Sequence, residues 1–413
     1  MKAVGIICEY NPLHLGHTGH FEKTRLALGG DCAVICVMSG NFVQRGDFAV
    51  FNKHARAKAV VQCGADLVIE LPSPYALSSA NGFADAGVYI LDRLGVCGYI
   101  SFGSESGNIG TLREAAEAIA TKEADMLIKE WLDKGISYAA AQQKAADAVL
   151  GAQSEVFRYP NNLLGIEYLK AIAAYESPLK PITVKRTGGE HDSDTGLSAT
   201  ALRKMLQRGD KPWGYMPDAA ATEYKEEIGA GRGPVFMDQG ELAILSRLRA
   251  AKSFSGLPGA AEGLEHRMMK YAATEPTIQA ILEKVKTKRY AMSRLRRMII
   301  CACLGITASD TQNPPPYIRV LAMNCIGMEI LALARKKTRL PIITKPASAK
   351  KLPAGAAELF EKESAATDFY ALAYPGTNNR TGSQEWRQSP KIIVPVQPPP
   401  PSSRGATRRG DPD

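Results

Sequence analysis

The fold is decided by the stretch Val4-Gly5-Ile6-Ile7-Cys8-Glu9-Tyr10-Asn11-Pro12-Leu13-His14-Leu15-Gly16-His17. Residues 3–8 form a continuous apolar run, which is typical of a strand buried on both faces. The next four residues end this strand with turn chemistry, and a helix is predicted from about His14 to Leu28. A buried strand that leads through a polar turn into a helix indicates the first unit of an α/β sheet.

Three further apolar runs predict more strands of the same sheet, at residues 33–38, 66–71 and 99–102. Helices predicted over residues 53–63 and 78–94 separate them. This alternation is typical of parallel strands joined by crossover helices, so we predict an α/β fold with a Rossmann-like parallel sheet. Each strand ends in a polar or glycine-rich turn, and ligands of such sheets bind at the carboxyl ends of the strands.

The pattern divides the chain into three parts. Residues 1–220 form the α/β domain, with a helical insertion at about 108–155. Residues 221–375 have mostly helical periodicity and predict a second, mostly α-helical domain. Residues 376–413 are rich in Pro and Arg and are predicted to be a disordered tail.

Charge is distributed unevenly along the 413 residues. Residues 1–180 contain 16 Lys+Arg and 19 Asp+Glu, whereas residues 181–413 contain 35 and 23. This asymmetry favours chemistry in the first part and a polyanion held by the second, although solvated lysines would give the same numbers. No apolar run approaches the roughly 18 residues that cross a bilayer, and the N-terminus lacks a secretory pattern, so we expect a cytoplasmic protein without a membrane span.

The cysteines predict reduced thiols rather than a metal site. None are spaced as Cys-x-x-Cys, and several lie within apolar runs. We therefore expect no dedicated protein metal site. The eight cysteines are Cys8, Cys32, Cys36, Cys63, Cys97, Cys301, Cys303 and Cys325.

The turn after the first strand is the strongest candidate for chemistry. Unpaired N–H groups at a helix start favour phosphate, and His14 and His17 can donate hydrogen bonds to its oxygens as charge develops on leaving pyrophosphate. Gly16 would let a nucleotide approach closely. The P-loop and dinucleotide fingerprints are absent. Metal ligation and chance placement of the two histidines remain as alternatives.

A second helix start supports the first. Ser198 is a good N-cap residue for a helix over 198–207, which places Thr200 and Arg203 in or near the first turn, where they could hold another phosphate. Arg186 ends a short predicted strand, and Asn161 opens a predicted helix. Either could contact a nucleotide or serve as an ordinary capping or ion-pair residue.

Several longer strings resemble one family, the tRNA(Met) cytidine acetate ligases. The resemblance is carried by residues 4–17 quoted above and by the following strings: Met38-Ser39-Gly40-Asn41-Phe42-Val43-Gln44-Arg45-Gly46-Asp47, Gly64-Ala65-Asp66-Leu67-Val68-Ile69-Glu70-Leu71-Pro72, Phe102-Gly103-Ser104-Glu105, Pro160-Asn161-Asn162-Leu163-Leu164-Gly165-Ile166-Glu167-Tyr168 and Ser198-Ala199-Thr200-Ala201-Leu202-Arg203.

The resemblance implies an enzyme of the nucleotidyltransferase type. It would activate acetate with ATP as acetyl-adenylate and then acetylate N4 of the wobble cytidine of elongator tRNA(Met). Mg²⁺ would be bound through the ATP phosphates. The implied ATP site comprises Ile7, Cys8, Glu9, Tyr10, Asn11, Pro12, Leu13, His14, Leu15, Gly16, His17, Thr18, Gly19, His20, Gly103, Asn161 and Arg186.

The roles expected within this site follow from the resemblance and the chemistry together. His14 and His17 would stabilise the α-phosphate transition state. The pyrophosphate side would be held by Ser198, Thr200 and Arg203. Gln44 and Arg45 are candidates for orienting acetate or phosphate. At least one of the basic clusters at residues 284–289, 294–297 and 335–339 would contact the tRNA backbone, although each cluster alone is equally compatible with a solvated helix face.

Two other functions fit parts of the pattern. One is an adenylyltransferase that acts on a small cofactor precursor, against which the long basic second part argues. The other is a non-catalytic, nucleotide-dependent RNA-binding protein, against which the two histidines argue. The sequence leaves the oligomeric state open.

Overall fold

The structure is a computed structural model that describes residues 2–186, 198–261 and 263–394. Within these ranges the predicted α/β fold is confirmed: eight strands form one sheet, in which most neighbouring pairs are parallel. The strands are β1 Lys2–Cys8, β2 Cys32–Ser39, β5 Leu67–Leu71, β6 Tyr99–Ser104, β7 Lys180–Lys185, β8 Ile318–Met323, β9 Ile342–Ile343 and β10 Lys391–Ile392, and a separate hairpin contains β3 Phe42–Val43 and β4 Asp47–Phe48. The spatial order within the sheet is β10-β8-β5-β2-β1-β6-β7, with β9 beside β8.

Helices cover both faces of the sheet and form the region that follows it. No helix of the described residues is long and apolar enough to cross a membrane. The helices are α1 Leu15–Ala27, α2 Lys53–Gln62, α3 Ser73–Ala76, α4 Ala80–Arg93, α5 Ile109–Ile119, α6 Lys122–Asp133, α7 Tyr138–Leu150, α8 Pro160–Ala174, α9 Ala199–Arg208, α10 Asp218–Gly229, α11 Glu241–Ala250, α12 Leu264–Thr274, α13 Ile278–Val285, α14 Met292–Leu304, α15 Cys325–Lys337, α16 Ala354–Ala371 and α17 Gln384–Arg387.

The central strands of the sheet are buried because they are apolar on both faces. All eight residues of β2 are buried, and β1 pairs with it in parallel from Lys2 with Cys32 to Cys8 with Met38. The register brings the ends of β1 and β2 to one edge. The polar turns after these strands therefore meet there, as the sequence pattern indicates.

The division of the chain at residue 220 differs from the structure. β8, which lies in the predicted helical domain, enters the sheet antiparallel to β5, with Met323 opposite Leu67. The sequence gives no warning, because a mostly apolar run of six residues within a helical stretch is equally compatible with a buried helix segment. The predicted helical insertion contains the three helices α5, α6 and α7.

The tail predicted from residue 376 is wrong over its first part. Residues 376–394 include α17 and β10, and β10 pairs with β8. Glu385 is completely buried and binds Arg319, and Trp386 packs against Phe360, so this polar segment is held by an ion pair and an aromatic contact with distant parts of the chain. Residues 395–413 lie outside the described residues.

The helical region packs directly on the hairpin that follows β2. Phe42 and Phe48 belong to the same apolar core as α11, α13 and α14. Gly46, at φ +73°, allows the hairpin to approach α14 closely. A Cβ at position 46 would lie only 2.3 Å from the backbone nitrogen of Arg297. The hairpin therefore connects the sheet to the helical region beside the candidate site.

Candidate functional site

The turn between β1 and α1 is organised by its two histidines. His14 is the N-cap residue of α1, with its Nδ1 accepting from the Gly16 N–H at 3.1 Å. His17 completes a capping box, since its Nδ1 accepts from the His14 N–H at 3.2 Å. The two rings stack with centroids 3.7 Å apart. Capping thus gives both side chains one geometry before any ligand binds.

The same hydrogen bonds assign the proton of each ring. A neutral imidazole carries one N–H, and because Nδ1 is an acceptor in both rings, Nε2 must carry the hydrogen. Burial and the Arg186 cation lower the pKa of His14 to about 4. Burial lowers the pKa of His17 well below its usual range, with contributions from His14 and Arg186. The pair is therefore neutral at pH 7 and presents two Nε2–H donors.

Gly16 and Gly103 leave room for the side chains of His14 and Arg186. A Cβ on Gly16 would lie 3.0 Å from the His14 ring, so Gly16 makes room for the cap itself as well as for any ligand. A Cβ on Gly103 would lie 3.1 Å from the side chain of Arg186, which crosses that position. The Arg186 backbone N–H donates to Ser104 at 2.9 Å, which aligns the end of β7 with β6.

The start of α9 faces the histidine turn. Ser198 is the N-cap residue as predicted, and its hydroxyl oxygen accepts from the Ala201 N–H at 3.3 Å. The Arg203 guanidinium donates to the Asn11 carbonyl at 2.7 Å and to the Thr200 hydroxyl at 3.0 Å. Arg203 therefore attaches α9 to the β1–α1 turn, a role that its spacing in the sequence does not reveal.

Asn161 is fixed by a carboxylate. Glu105 accepts from the Asn161 side-chain amide at 2.6 Å and from the Asn162 N–H at 2.9 Å. Glu105 thereby caps the start of α8, whose N-cap residue Tyr159 provides no side-chain hydrogen bond. Glu105 uses one hydrogen of the Asn161 amide, so the carbonyl oxygen and the second N–H are left for a ligand.

Two adjoining clefts open at this edge of the sheet. The α1 cleft, of about 650 Å³, runs along the first turns of α1 and ends at Gly103 and Arg186. The interdomain cleft, of about 670 Å³, lies between the sheet and the helical region. Both are lined by His14, His17 and Arg186.

The predicted residues divide into lining and supporting groups. Among the residues that line one or both clefts are Glu9, Asn11, the segment 14–20, Gly103, Asn161, Arg186, Ser198, Thr200 and Arg203. The other members of the predicted set belong to the supporting structure and line neither cleft: Ile7, Cys8, Tyr10, Pro12 and Leu13.

The interdomain cleft also contains side chains that sequence analysis missed. Lys204 and Gln207 continue the face of α9 that carries Thr200 and Arg203, so helical periodicity could have found them. Asp47 and Glu241 could not have been found in this way, because they come from the hairpin and from the helical region.

Gln44 and Arg45 occupy different environments. Arg45 lines the interdomain cleft, whereas Gln44 does not. The Gln44 N–H donates to the Glu9 carboxylate at 2.7 Å, and its carbonyl accepts from Arg297 at 3.1 Å. Burial raises the pKa of Glu9, although the hydrogen bond from Gln44 and the nearby arginines oppose the rise.

The three predicted basic clusters do not lie together. Arg296 of the 294–297 cluster lines the interdomain cleft and approaches Asp47 at 3.4 Å. The 284–289 cluster begins in the last two residues of α13, and the same cleft is lined by residues nearer the start of that helix. In contrast, Lys337 packs beside Gly95, at the turn that leads into the amino end of β6. The 335–339 cluster therefore begins at the opposite edge of the sheet from the clefts.

Comparisons with known proteins agree with this geometry. The family model described as HIGH Nucleotidyl Transferase matches residues 1–385. The tRNA(Met) cytidine acetate ligase of Acetivibrio thermocellus is 35% identical over 417 residues, covering 95% of this chain and all of that protein. The ligase of the same name from Caldanaerobacter subterraneus subsp. tengcongensis is 39% identical, covering 91% of this chain and 96% of that one.

A solved structure extends the agreement to three dimensions. Thermotoga maritima TmcAL, bound with alpha-thio ATP, is 34% identical and superposes with a TM-score of 0.88. The match covers 95% of this chain and all of that chain. The likeness therefore includes the helical region and is not confined to the sheet.

Proposed function

This chain belongs to the HIGH nucleotidyltransferases and, among them, to the tRNA(Met) cytidine acetate ligase family; from this premise we propose that it joins acetate to a tRNA(Met) cytidine at the expense of ATP. The reaction has two steps. The acetate oxygen attacks the α-phosphorus of ATP, which forms acetyl-adenylate and releases pyrophosphate. The cytidine N4 then attacks the acetyl carbonyl, AMP leaves, and N4 loses one proton.

The observation that carries this proposal is the pair of neutral imidazoles at the helix start. Each presents an Nε2–H donor that is fixed by a backbone hydrogen bond at Nδ1. Donors oriented before the reaction stabilise the additional charge of the phosphate transition state without reorganisation. We assign this role to His14 and His17.

Cations on both sides of the histidines would hold the rest of ATP. Arg186 lies at the junction of the two clefts, and Arg203, with Lys204, lines the interdomain cleft. Ser198 retains its hydroxyl hydrogen for a ligand, since only its oxygen is used as the cap. The pyrophosphate would lie at the start of α9, where the helix also favours an anion.

Mg²⁺ belongs to the proposal only as a partner of ATP. No group of three or more His, Cys, Asp or Glu side chains suited to a metal ion occurs in the described ranges. The chain instead offers cations and N–H donors, which suits a metal bound mainly by the phosphates. Its chemistry would be to neutralise charge on the departing pyrophosphate.

The substrate suggests the compartment. A tRNA is a cytoplasmic molecule in a bacterium such as those of the related proteins, and we propose that this chain acts there. The described helices are compatible with this, because none could span a bilayer.

Isotopic exchange of pyrophosphate into ATP, with and without acetate, tests the proposal. Acetate-dependent exchange in the absence of RNA is the expected result. Exchange that requires a different small acceptor would support the cofactor adenylyltransferase instead. No exchange with any acceptor, combined with ATP and RNA binding, would support a non-catalytic module.

A further inference from the structure

A separate pocket lies on the helical region outside both clefts. It has a volume of about 580 Å³ and is bounded by α12 and by the loop between α13 and α14. Six of its lining side chains are cationic, aromatic or imidazole, which distinguishes it from an ordinary apolar groove: His266, Arg267, Lys270, Tyr271, Arg289 and Tyr290.

Charge around this pocket is strongly positive. Residues 263–297 contain nine Lys+Arg and three Asp+Glu. No carboxylate within the described ranges lies within 4 Å of the Lys270 ammonium. An unpaired cation at the rim of a concave surface favours an anionic ligand.

An aromatic ring lies among these cations. Tyr271 is half-buried, so part of its ring contributes to the core and part remains accessible. The Arg267 guanidinium is 5.4 Å from the ring centroid and the Lys270 ammonium is 5.6 Å from it. Cations beside an accessible aromatic ring are the combination with which proteins bind single-stranded nucleic acid.

One of the cations already has a structural task. Arg267 donates to the Val285 carbonyl at 3.1 Å and to the Lys284 carbonyl at 2.5 Å, and so caps the end of α13. This leaves Lys270 and Tyr271 as the side chains that can be changed without removing that cap.

Helix α13 connects this pocket to the interdomain cleft. Ile278 and Leu282 of α13 line the interdomain cleft, while the carbonyl end of α13 binds Arg267 of the pocket. Eight helical residues span about 12 Å. Stacked nucleotides are spaced by about 3.4 Å along a strand, so an RNA in the cleft could reach the pocket within about four nucleotides.

We propose that the pocket formed by α12 and the α13–α14 loop binds an unpaired nucleotide of the RNA substrate near the target cytidine. Its base stacks on Tyr271, and its phosphate contacts Lys270. This inference rests on the proposed function, because it requires an RNA substrate. The proposal also assigns different roles to two of the basic clusters: residues 284–289 face the RNA, and residues 335–339 do not.

The test uses the full chain and a fluorescently labelled anticodon stem-loop of tRNA(Met), with affinity measured by anisotropy at several salt concentrations. Tyr271→Leu should bind about tenfold more weakly, since it keeps apolar packing but loses stacking. Lys270→Gln should reduce the salt slope of log affinity by about 0.7. Tyr271→Phe and the matched control Lys336→Gln, on exposed α15, should bind like the unmodified chain.

Acetate-dependent pyrophosphate exchange distinguishes failure of the proposed pocket from failure of the proposed function. Exchange should be unchanged in Lys270→Gln, because activation needs no RNA. Unaltered RNA affinity in Tyr271→Leu together with an unaltered salt slope in Lys270→Gln would overturn the pocket, as would preferential binding of polyglutamate over RNA. An unmodified chain that shows no exchange would overturn the proposed function instead. If Tyr271→Leu proves unstable, the slope of Lys270→Gln decides.

Discussion

Two polar clusters lie in this protein, and they use charge in opposite ways. In the first, Lys53 lies 2.7 Å from Glu70 and 2.8 Å from Glu385, and Arg319 lies 3.1 Å from Glu385, with every side chain at most 2% exposed. In the second, at the β1–α1 turn, the histidines are neutral and the cations face open clefts.

The two clusters have different roles: the first stabilises the fold, and the second can bind an anion. Burial alone would lower the pKa of Lys53, but Glu385 and Glu70 outweigh it and raise that pKa above its ordinary value. Each charged side chain of the first cluster is paired with an opposite charge within the chain. The second cluster leaves N–H donors and cations available, which is what a triphosphate requires.

The first cluster should give the largest effect on stability. Lys53→Met removes the cation that the buried carboxylates of Glu70 and Glu385 share, and we expect the free energy of unfolding to fall by about 3–5 kcal/mol. Lys58→Met on the same helix is the control: its partly exposed pair with Glu223 should cost below about 1 kcal/mol. Denaturant unfolding monitored by circular dichroism measures both. Equal losses would contradict the role of the buried ion pairs in stabilising the fold.

The second cluster should give the largest effect on chemistry. His17→Ala removes one oriented Nε2–H donor, so acetate-dependent pyrophosphate exchange should fall by at least about a hundredfold. RNA affinity and the unfolding midpoint should remain nearly unchanged. His266→Ala, which removes an imidazole that is 87% exposed, should leave exchange intact. A parallel loss of exchange and RNA affinity in His17→Ala would instead indicate unfolding or a misplaced site.

A smaller effect is expected where capping and ligand binding coincide. Ser198→Ala removes the N-cap of α9 and should cost about 1 kcal/mol of stability. Thr121→Ala removes a comparable cap from α6, whose Ala124 N–H donates to it at 3.2 Å. Thermal unfolding should be similar for both variants, but only Ser198→Ala should raise the KM for ATP. A normal KM in that variant would remove Ser198 from the site.

The smallest effect concerns pH. His14 has a pKa of about 4 in the folded chain, below its ordinary value of 6.5, so it is neutral from pH 6 to 8. The kcat/KM for exchange should therefore not fall through a step near 6.5, and any acid limb assigned to His14 should lie near pH 4–5. Imidazole ¹⁵N shifts recorded against pH identify the titrating ring.

The lowered pKa of His14 also predicts how the stability of the protein changes with pH. Because the folded-state pKa of His14 is depressed, its contribution is fully present above pH 6.5 and is lost as the pH falls toward 4. His54, whose pKa burial likewise lowers to about 4, adds to this acid sensitivity. The free energy of unfolding should decrease as the pH is lowered from 7 to 5. A constant or rising value would contradict the neutral state of these histidines.

Sequence prediction succeeded where the determinants were local. The helix beginning beside His14 and the Ser198 cap depend on neighbours within four residues, and the strand at 3–8 is marked by a continuous apolar run. It failed at β8 and at residues 376–394, because each is stabilised by partners more than sixty residues away, such as Glu385 for Arg319. Local patterns contain no information about such distant partners.

The sequence by itself determined the alternation of strands and helices, the histidine turn and the family. These depend on residue spacing and short-range hydrogen bonds. Only the tertiary structure decided that Arg203 attaches to the Asn11 carbonyl, that Glu105 fixes Asn161, and which basic cluster lies beside the clefts. The physical reason is that a cleft is formed where separate elements meet, and their meeting is set by packing of the whole chain.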